Sequence, residues 1–463
     1  MTLLTERHDN ADAAVRQLQV RLTGDLVMAS DSAYEDARRL HNISLDQRPD
    51  VIVRARDAAD VVRAVTFARE RGLAVGVRSG GHSMGGHGLA EGAIAIDLSA
   101  LNRISIDPAT AIARLGPGVT SGQLGPVAHE HGLALSTGDV ATVGLGGLVT
   151  GGGIGYMVRK YGLTIDHLIS AEVITADGRM VVASAEENPD LFWAVRGGGG
   201  NFGIVTGFEF RLQPAGTVLG GALVLPPTRE VIRAYLDYAV DAPDALTTIG
   251  AVVHVPPAPF VPEEAHGALA FAVFLVFAGD LEEGEKAVAP LRAIARPLAD
   301  TVGPMPYHGI FEYTAEAENP AHIGIRSMFT NEVPDALIDA MIEQTERANS
   351  LMHMLQVRPL GGAMARVPKD ATAFAHRDKR FLVSVINEWL DPAENDRQSA
   401  WVDEAWTAVR DHADGAYVNF LADEGADRVR DAYPAETYAR LAEVKRRYDP
   451  ENVFRFNQNI LPS

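Results

Sequence analysis

The chain contains no cysteine. Disulfides, thiolate metal sites, cysteine-ligated iron–sulfur clusters and a cysteine nucleophile are therefore excluded together. No apolar run approaches the roughly 20 residues needed to span a bilayer. The first residues, 1–17, have no apolar core of the signal-peptide kind. A cytoplasmic protein is expected. Basic charge is scarce: 41 Lys and Arg stand against 61 Asp and Glu, a formal net charge of −20. Nucleic-acid phosphates and anionic membrane surfaces select clustered Lys and Arg, so neither is an expected partner. HExxH spacing is absent, and neither His82 with His87 nor His129 with His131 has converging carboxylates, so no metal is expected.

At 463 residues the chain exceeds the roughly 250–300 residues at which a single core stops growing, so two or more domains are expected. Hydrophobic residues at 47% and charged residues at 22% fit a globular protein. Residues 1–45 read as loosely helical. Val51–Val53 then reads as a strand, and Asp57 as the N-cap of a helix carrying the stripe Val61, Val62, Val65 and Ala68 up to Gly72. Strands are predicted at 74–77, 94–98, 104–106 and 111–113. A turn follows at 159–167, then a hairpin at 170–183 around Asp177-Gly178, a short helix at 190–195 and a strand at 204–212. From 217 to 414, strands (218–225, 249–255, 268–277, 381–389) alternate with amphipathic helices (229–240, 281–295, 334–348, 393–414). The last stretch holds Tyr417-Val418-Asn419-Phe420 and a charged helix at 435–448.

Glycine is concentrated in three places. Residues 78–92 hold six glycines around His82, Gly144–Gly155 holds seven in twelve positions, and four more follow Arg196. Glycine permits positive φ and close ligand approach, and such loops form anion-binding nests. The pattern leaves two readings open, a phosphate-bearing cofactor or purely structural turns. Gly198, Gly200 and Gly203 match GxGxxG, but the match follows a helix and opens a strand, the reverse of the Rossmann order. No GKS or GKT P-loop is present. His82, inside its glycine loop, can present an unhindered neutral imidazole nitrogen, a nucleophile near neutral pH.

Together these segments resemble the vanillyl-alcohol oxidase, or PCMH-type, flavoprotein superfamily in its berberine bridge enzyme-like branch. The motifs that carry the resemblance are Arg78-Ser79-Gly80-Gly81-His82-Ser83, Val143-Gly144-Leu145-Gly146-Gly147 with Gly151-Gly152-Gly153, Asn201-Phe202-Gly203-Ile204-Val205, Tyr417-Val418-Asn419 and Tyr448-Asp449-Pro450 with Asn457-Gln458-Asn459. The resemblance implies an α+β fold: a two-subdomain PCMH-type FAD-binding domain (1–214), a substrate domain with an antiparallel sheet backed by helices (215–414), and a C-terminal segment (415–463) returning to the first. It implies FAD held by Arg78, Ser79, Gly80, Gly81, His82, Ser83, Met84, Gly138, Val140, Thr142, Val143, Gly144, Gly152, Gly153, Gly155, Val205, Asn419 and Asn457, with an 8α-histidyl bond to His82. It also implies that the Tyr417–Asn419 strand lies at the isoalloxazine ring.

Two departures shape the functional expectation. Many members carry a second covalent link through a cysteine; Val140 stands in its place here, so the resemblance implies that His82 is the only anchor. The family's oxygen-gate position is Val143, a small residue that leans towards oxidase. The expected activity is oxidation of a small-molecule alcohol, amine or phenolic metabolite, with O₂ reduced to H₂O₂. A dehydrogenase using another acceptor and a non-catalytic flavin-binding protein stand as alternatives. Tyr417 is the candidate base, or else a ring packed on the cofactor. A glutamate that one member places before Leu-Gly-Gly has no counterpart in Gln356–Gly362, and Arg358, His353, Asn387 and Trp389 are further pocket candidates. A monomer or homodimer is expected.

Overall fold

In the computed structural model, residues 14–257, 261, 263, 266–350 and 352–463 are described. Residues 14–21 are helical; the rest of the helical reading of 1–45 either falls on residues 1–13, outside the described residues, or gives way to the strand Asp25–Met28 and the short helix Tyr34–Ala37.

Asp57 caps the helix Ala58–Arg71 by accepting the Asp60 N–H, and Gly72 closes it in the left-handed conformation. Its apolar stripe covers a four-stranded sheet in which Val51–Arg54 and Val75–Arg78 both run parallel to Ile94–Asp97. A second sheet, five-stranded and antiparallel, sets Ile204–Arg211 between Ile112–Leu115 and Leu168–Ile174. The hairpin around Asp177-Gly178 forms as the sequence indicates, pairing Leu168–Ile174 with Met180–Ser184. The turn expected at 159–167 is instead a helical turn, Val158–Tyr161, followed by the 3₁₀ turn Thr164–His167.

The third sheet is the largest, with eight antiparallel strands. Its main path runs through Thr217–Leu225, Leu269–Phe277, Leu246–His254, Met352–Pro359, Phe381–Trp389 and His322–Thr330. Two of these strands, Met352–Pro359 and His322–Thr330, lack a clear alternation in the sequence. One face of this sheet is covered by the helices Arg229–Asp241, Leu281–Ala293, Asp335–Arg347 and Asn395–Val409 around one apolar core. The other face looks across a cavity at the glycine-rich loops.

Buried Arg159 joins the two halves. Its guanidinium donates to the carbonyl oxygens of Ala242 (2.8 Å) and Leu360, both beyond residue 215. The C-terminal helix Ala435–Tyr448 lies against the first half. There Lys445, fully buried, donates to the Asp449 carboxylate and to the carbonyls of Asn201 and Phe454, at 2.6, 2.8 and 2.8 Å. The architecture is α+β, with mixed helices and largely antiparallel sheets.

Candidate active site

A cavity of about 900 Å³ lies between the glycine loops and the open face of the large sheet. That is near the upper end of the roughly 300–1,000 Å³ of small-molecule and cofactor sites. Its wall on one side is built by backbone. Gly80 and Gly144 meet so closely that a Cβ on Gly80 would stand 2.4 Å from the Gly144 nitrogen, so both positions require glycine and the two loops form one continuous surface.

His82 projects from the first of these loops. Its Nε2 lies 3.0 Å from the Thr142 hydroxyl, and the His41 ring stacks on it with centroids 4.0 Å apart. Burial, reinforced by His41 and Arg78, pushes the His82 imidazole down to about 3. It is therefore neutral at ordinary pH, with Nε2 engaged and Nδ1 left as the uncommitted nitrogen. Arg78 donates to the Ala37 carbonyl at 2.7 Å, but its Nε is buried and has no partner.

Also lining the cavity, Tyr417 precedes a 3₁₀ turn, Val418–Phe420, where a strand was expected. Asn419 dictates that geometry: its amide donates to the Leu148 carbonyl and to the Tyr417 hydroxyl, both at 3.1 Å. The Gly153 and Ile154 N–H groups also donate to that hydroxyl, at 3.1 and 3.4 Å. Burial raises the phenol above its usual value, opposed by these donors. Beside it Arg358 pairs with Asp139 at 2.7 Å and lies over the Phe420 ring at 5.3 Å.

Most of the residues singled out in the sequence reach the cavity: Arg78 to Met84, Gly138, Val140, Val143, Gly144, Val205, Tyr417, Asn419, Asn457, His353 and Arg358. Thr142 stands behind His82. Gly152, Gly153 and Gly155 do not face the cavity. They are sealed against the Phe374 ring, Thr164 and the Thr137 carbonyl, and their lack of a side chain serves packing. Asn387 and Trp389 face the covering helices, donating to Gln398 Oε1 at 3.0 Å and Asn395 Oδ1 at 2.7 Å. Their neighbours Ile386 and Glu388 line the cavity instead, the consequence of a period-2 strand read on the wrong parity. Glu388 carries no motif or other sequence signal that assigns it to the cavity. His41 and Asp139 carry none either.

Glycine-built walls, an apolar floor and unpartnered buried polar atoms (Arg78 Nε, Asn457 Oδ1) fit a large phosphate-bearing cofactor. Sequence comparison agrees. A family profile described as "FAD binding domain" matches residues 49–184, and one described as "Berberine and berberine like" matches residues 416–461. The chain is an FAD-linked oxidoreductase. It belongs to the berberine bridge enzyme-like branch of the PCMH-type superfamily. It is 31% identical to (R)-6-hydroxynicotine oxidase of Paenarthrobacter nicotinovorans, over 95% of this chain and 97% of that protein. It is 30% identical to xylooligosaccharide oxidase of Thermothelomyces thermophilus, over 91% and 89%. The crystal structure of 6-hydroxy-D-nicotine oxidase from Arthrobacter nicotinovorans superposes with a TM-score of 0.85 at 30% identity, covering 96% of this chain and 98% of that one.

Proposed function

We propose that the protein is an oxidase whose FAD is attached covalently through His82 alone and which oxidises a small-molecule alcohol, amine or phenolic metabolite. The observation that carries this reading is His82 itself: a neutral imidazole in the cavity wall, held by Thr142 through Nε2 with Nδ1 free to bond. The absence of cysteine leaves no second thiol anchor. When bound, FAD supplies a hydride acceptor that O₂ regenerates.

The chain's own residues divide the remaining work. Residues Arg78–Met84, Gly138, Val140, Gly144, Val205 and Asn457 hold the cofactor, with Thr142 positioning His82. Val143 borders the space left for oxygen. Tyr417 takes the proton of the substrate's hydroxyl or amine; burial raises its phenol, and three N–H donors on its oxygen offset part of that rise. On this reading the division is 1–214 for the cofactor, 215–414 for the substrate and 415–463 returning to the cofactor half. The two named relatives act on a hydroxynicotine and a xylooligosaccharide. The apolar sheet floor here favours an apolar body over a sugar.

Flavin colour should stay with acid-precipitated wild-type protein and appear in the supernatant from His82→Ala. Flavin released from the wild type by acid would defeat the covalent assignment. With a substrate panel, H₂O₂ production and bleached flavin that recovers in air identify an oxidase, whereas persistent bleaching identifies a dehydrogenase.

A further inference from the structure

The sheet that floors the cavity is apolar over most of its width, with Ala272, Phe274, Val253, Met354, Ile386 and Ile325 facing it. Arg358 and Glu388 are the charged side chains on its strands that line the space. Arg358 is neutralised by Asp139 at 2.7 Å. Glu388 lies opposite Met352 on one side and Ile323 on the other. Met352 and Arg358 are six positions apart on one strand, which separates the two charged ends by about 20 Å.

Glu388 is only 6% exposed, and among the described residues its carboxyl has no hydrogen-bond or ion-pair partner. A buried carboxylate ordinarily sits against a cation or a set of donors, because leaving water otherwise costs too much. The groups around this one supply neither. Glu316 and Glu312, on the 3₁₀ run Tyr307–Glu318, carry the same sign and line the same cavity. His254 and His353 border that end with their nitrogens 2.6 Å apart, and burial with His254 holds His353 down to about 4. His41 is lowered by burial too. Burial and, to a lesser degree, Glu316 raise the Glu388 carboxyl to about 8. The cavity therefore ends, at the far edge of an apolar slot, in a carboxyl group that has no ion-pair partner among the described residues and stays largely protonated until a cation meets it.

We propose that Glu388 receives a protonated nitrogen at the end of the substrate remote from Tyr417, so that the cavity selects a substrate that carries an amine on an apolar body over the corresponding alcohol or a sugar. This narrows the substrate class of the reading above and rests on it.

The test is calorimetric binding to the flavin-loaded protein, with phenethylamine, phenethyl alcohol and xylobiose as probes. Glu388→Gln keeps the side-chain volume and removes an ionisable group that burial disfavours, so it should fold at least as well as the wild type. The wild type should bind the amine about ten- to a hundredfold more tightly than the alcohol, and Glu388→Gln should lose that preference. Amine affinity in the wild type should rise between roughly pH 6 and 9, with proton release on binding, and stay flat in the variant. The inference is overturned if the wild type fails to bind the amine, binds alcohol equally well, or prefers xylobiose. It also fails if Glu388→Gln keeps the preference. Acid-labile flavin together with an intact amine preference would instead fault the His82 assignment alone.

Discussion

At the scale of single residues, the cavity is governed by side chains whose polar atoms are already spoken for, and by the few that are not. The Tyr417 oxygen is an example of the first kind, accepting from Gly153, Ile154 and Asn419. Tyr417→Phe leaves those buried N–H groups without an acceptor, a cost of about 1–3 kcal/mol. We expect a lower melting temperature together with a loss of turnover while flavin stays attached; unchanged turnover would remove Tyr417 from the proton-transfer role. Glu388 is of the second kind. His82 was legible in the sequence because a histidine inside a glycine loop is chemically conspicuous. Glu388 was not, because both faces of Phe381–Trp389 are largely apolar and the sequence does not say which one meets the cavity.

At the scale of elements, the most consequential is the C-terminal helix. Lys445 and Asp449 are both fully buried and paired at 2.6 Å. Asp449 in turn accepts the N–H groups of Val453 and Phe454 at 2.7 and 2.9 Å. This fixes the exit of the chain towards Asn457, which donates to the Gly200 carbonyl at 3.1 Å beside the cavity. Lys445→Ala strands a buried carboxylate and should cost about 3–5 kcal/mol, measurable by chemical denaturation. Cofactor incorporation should fall with it. The helix itself was readable to the residue from its charged, amphipathic pattern. So was the helix Ala58–Arg71, from its caps; the Asp177-Gly178 hairpin was readable in its turn, but its strands run Leu168–Ile174 and Met180–Ser184 rather than 170–175 and 179–183. The 3₁₀ turn at Val418–Phe420 was not: side-chain bonds from Asn419 to a distant loop set it, and no local pattern encodes those.

At the scale of the whole molecule, the titration of buried groups sets how the fold responds to acid. His41, His82, His87, His167, His353 and His376 all have imidazoles lowered by burial. Each is lowered in the folded chain relative to about 6.5 when unfolded, so the unfolded chain binds more protons below that value. Their contribution is complete above about pH 6.5 and is lost as pH falls towards the folded values. Glu388 has the opposite sign: its raised carboxyl favours the fold at low pH and ceases to as pH climbs through about 8. The lowered histidines act together, so stability should fall as pH drops below about 6.5. Melting temperatures measured across that range check this, and a flat profile would contradict it. Among the described residues, no helix is long and apolar enough to cross a membrane.

Arg159 grips the opposite half of the molecule through main-chain carbonyls, those of Ala242 and Leu360. A carbonyl oxygen is the same whatever side chain it belongs to. That one contact is therefore indifferent to the side chains at 242 and 360, whereas the apolar packing of Tyr156 and Met157 against Ile249 and Phe311, and the Arg377–Asp166 pair, tie the halves together through specific side chains. A change at Ile249 would therefore be felt at the joint as well as in the cavity it lines.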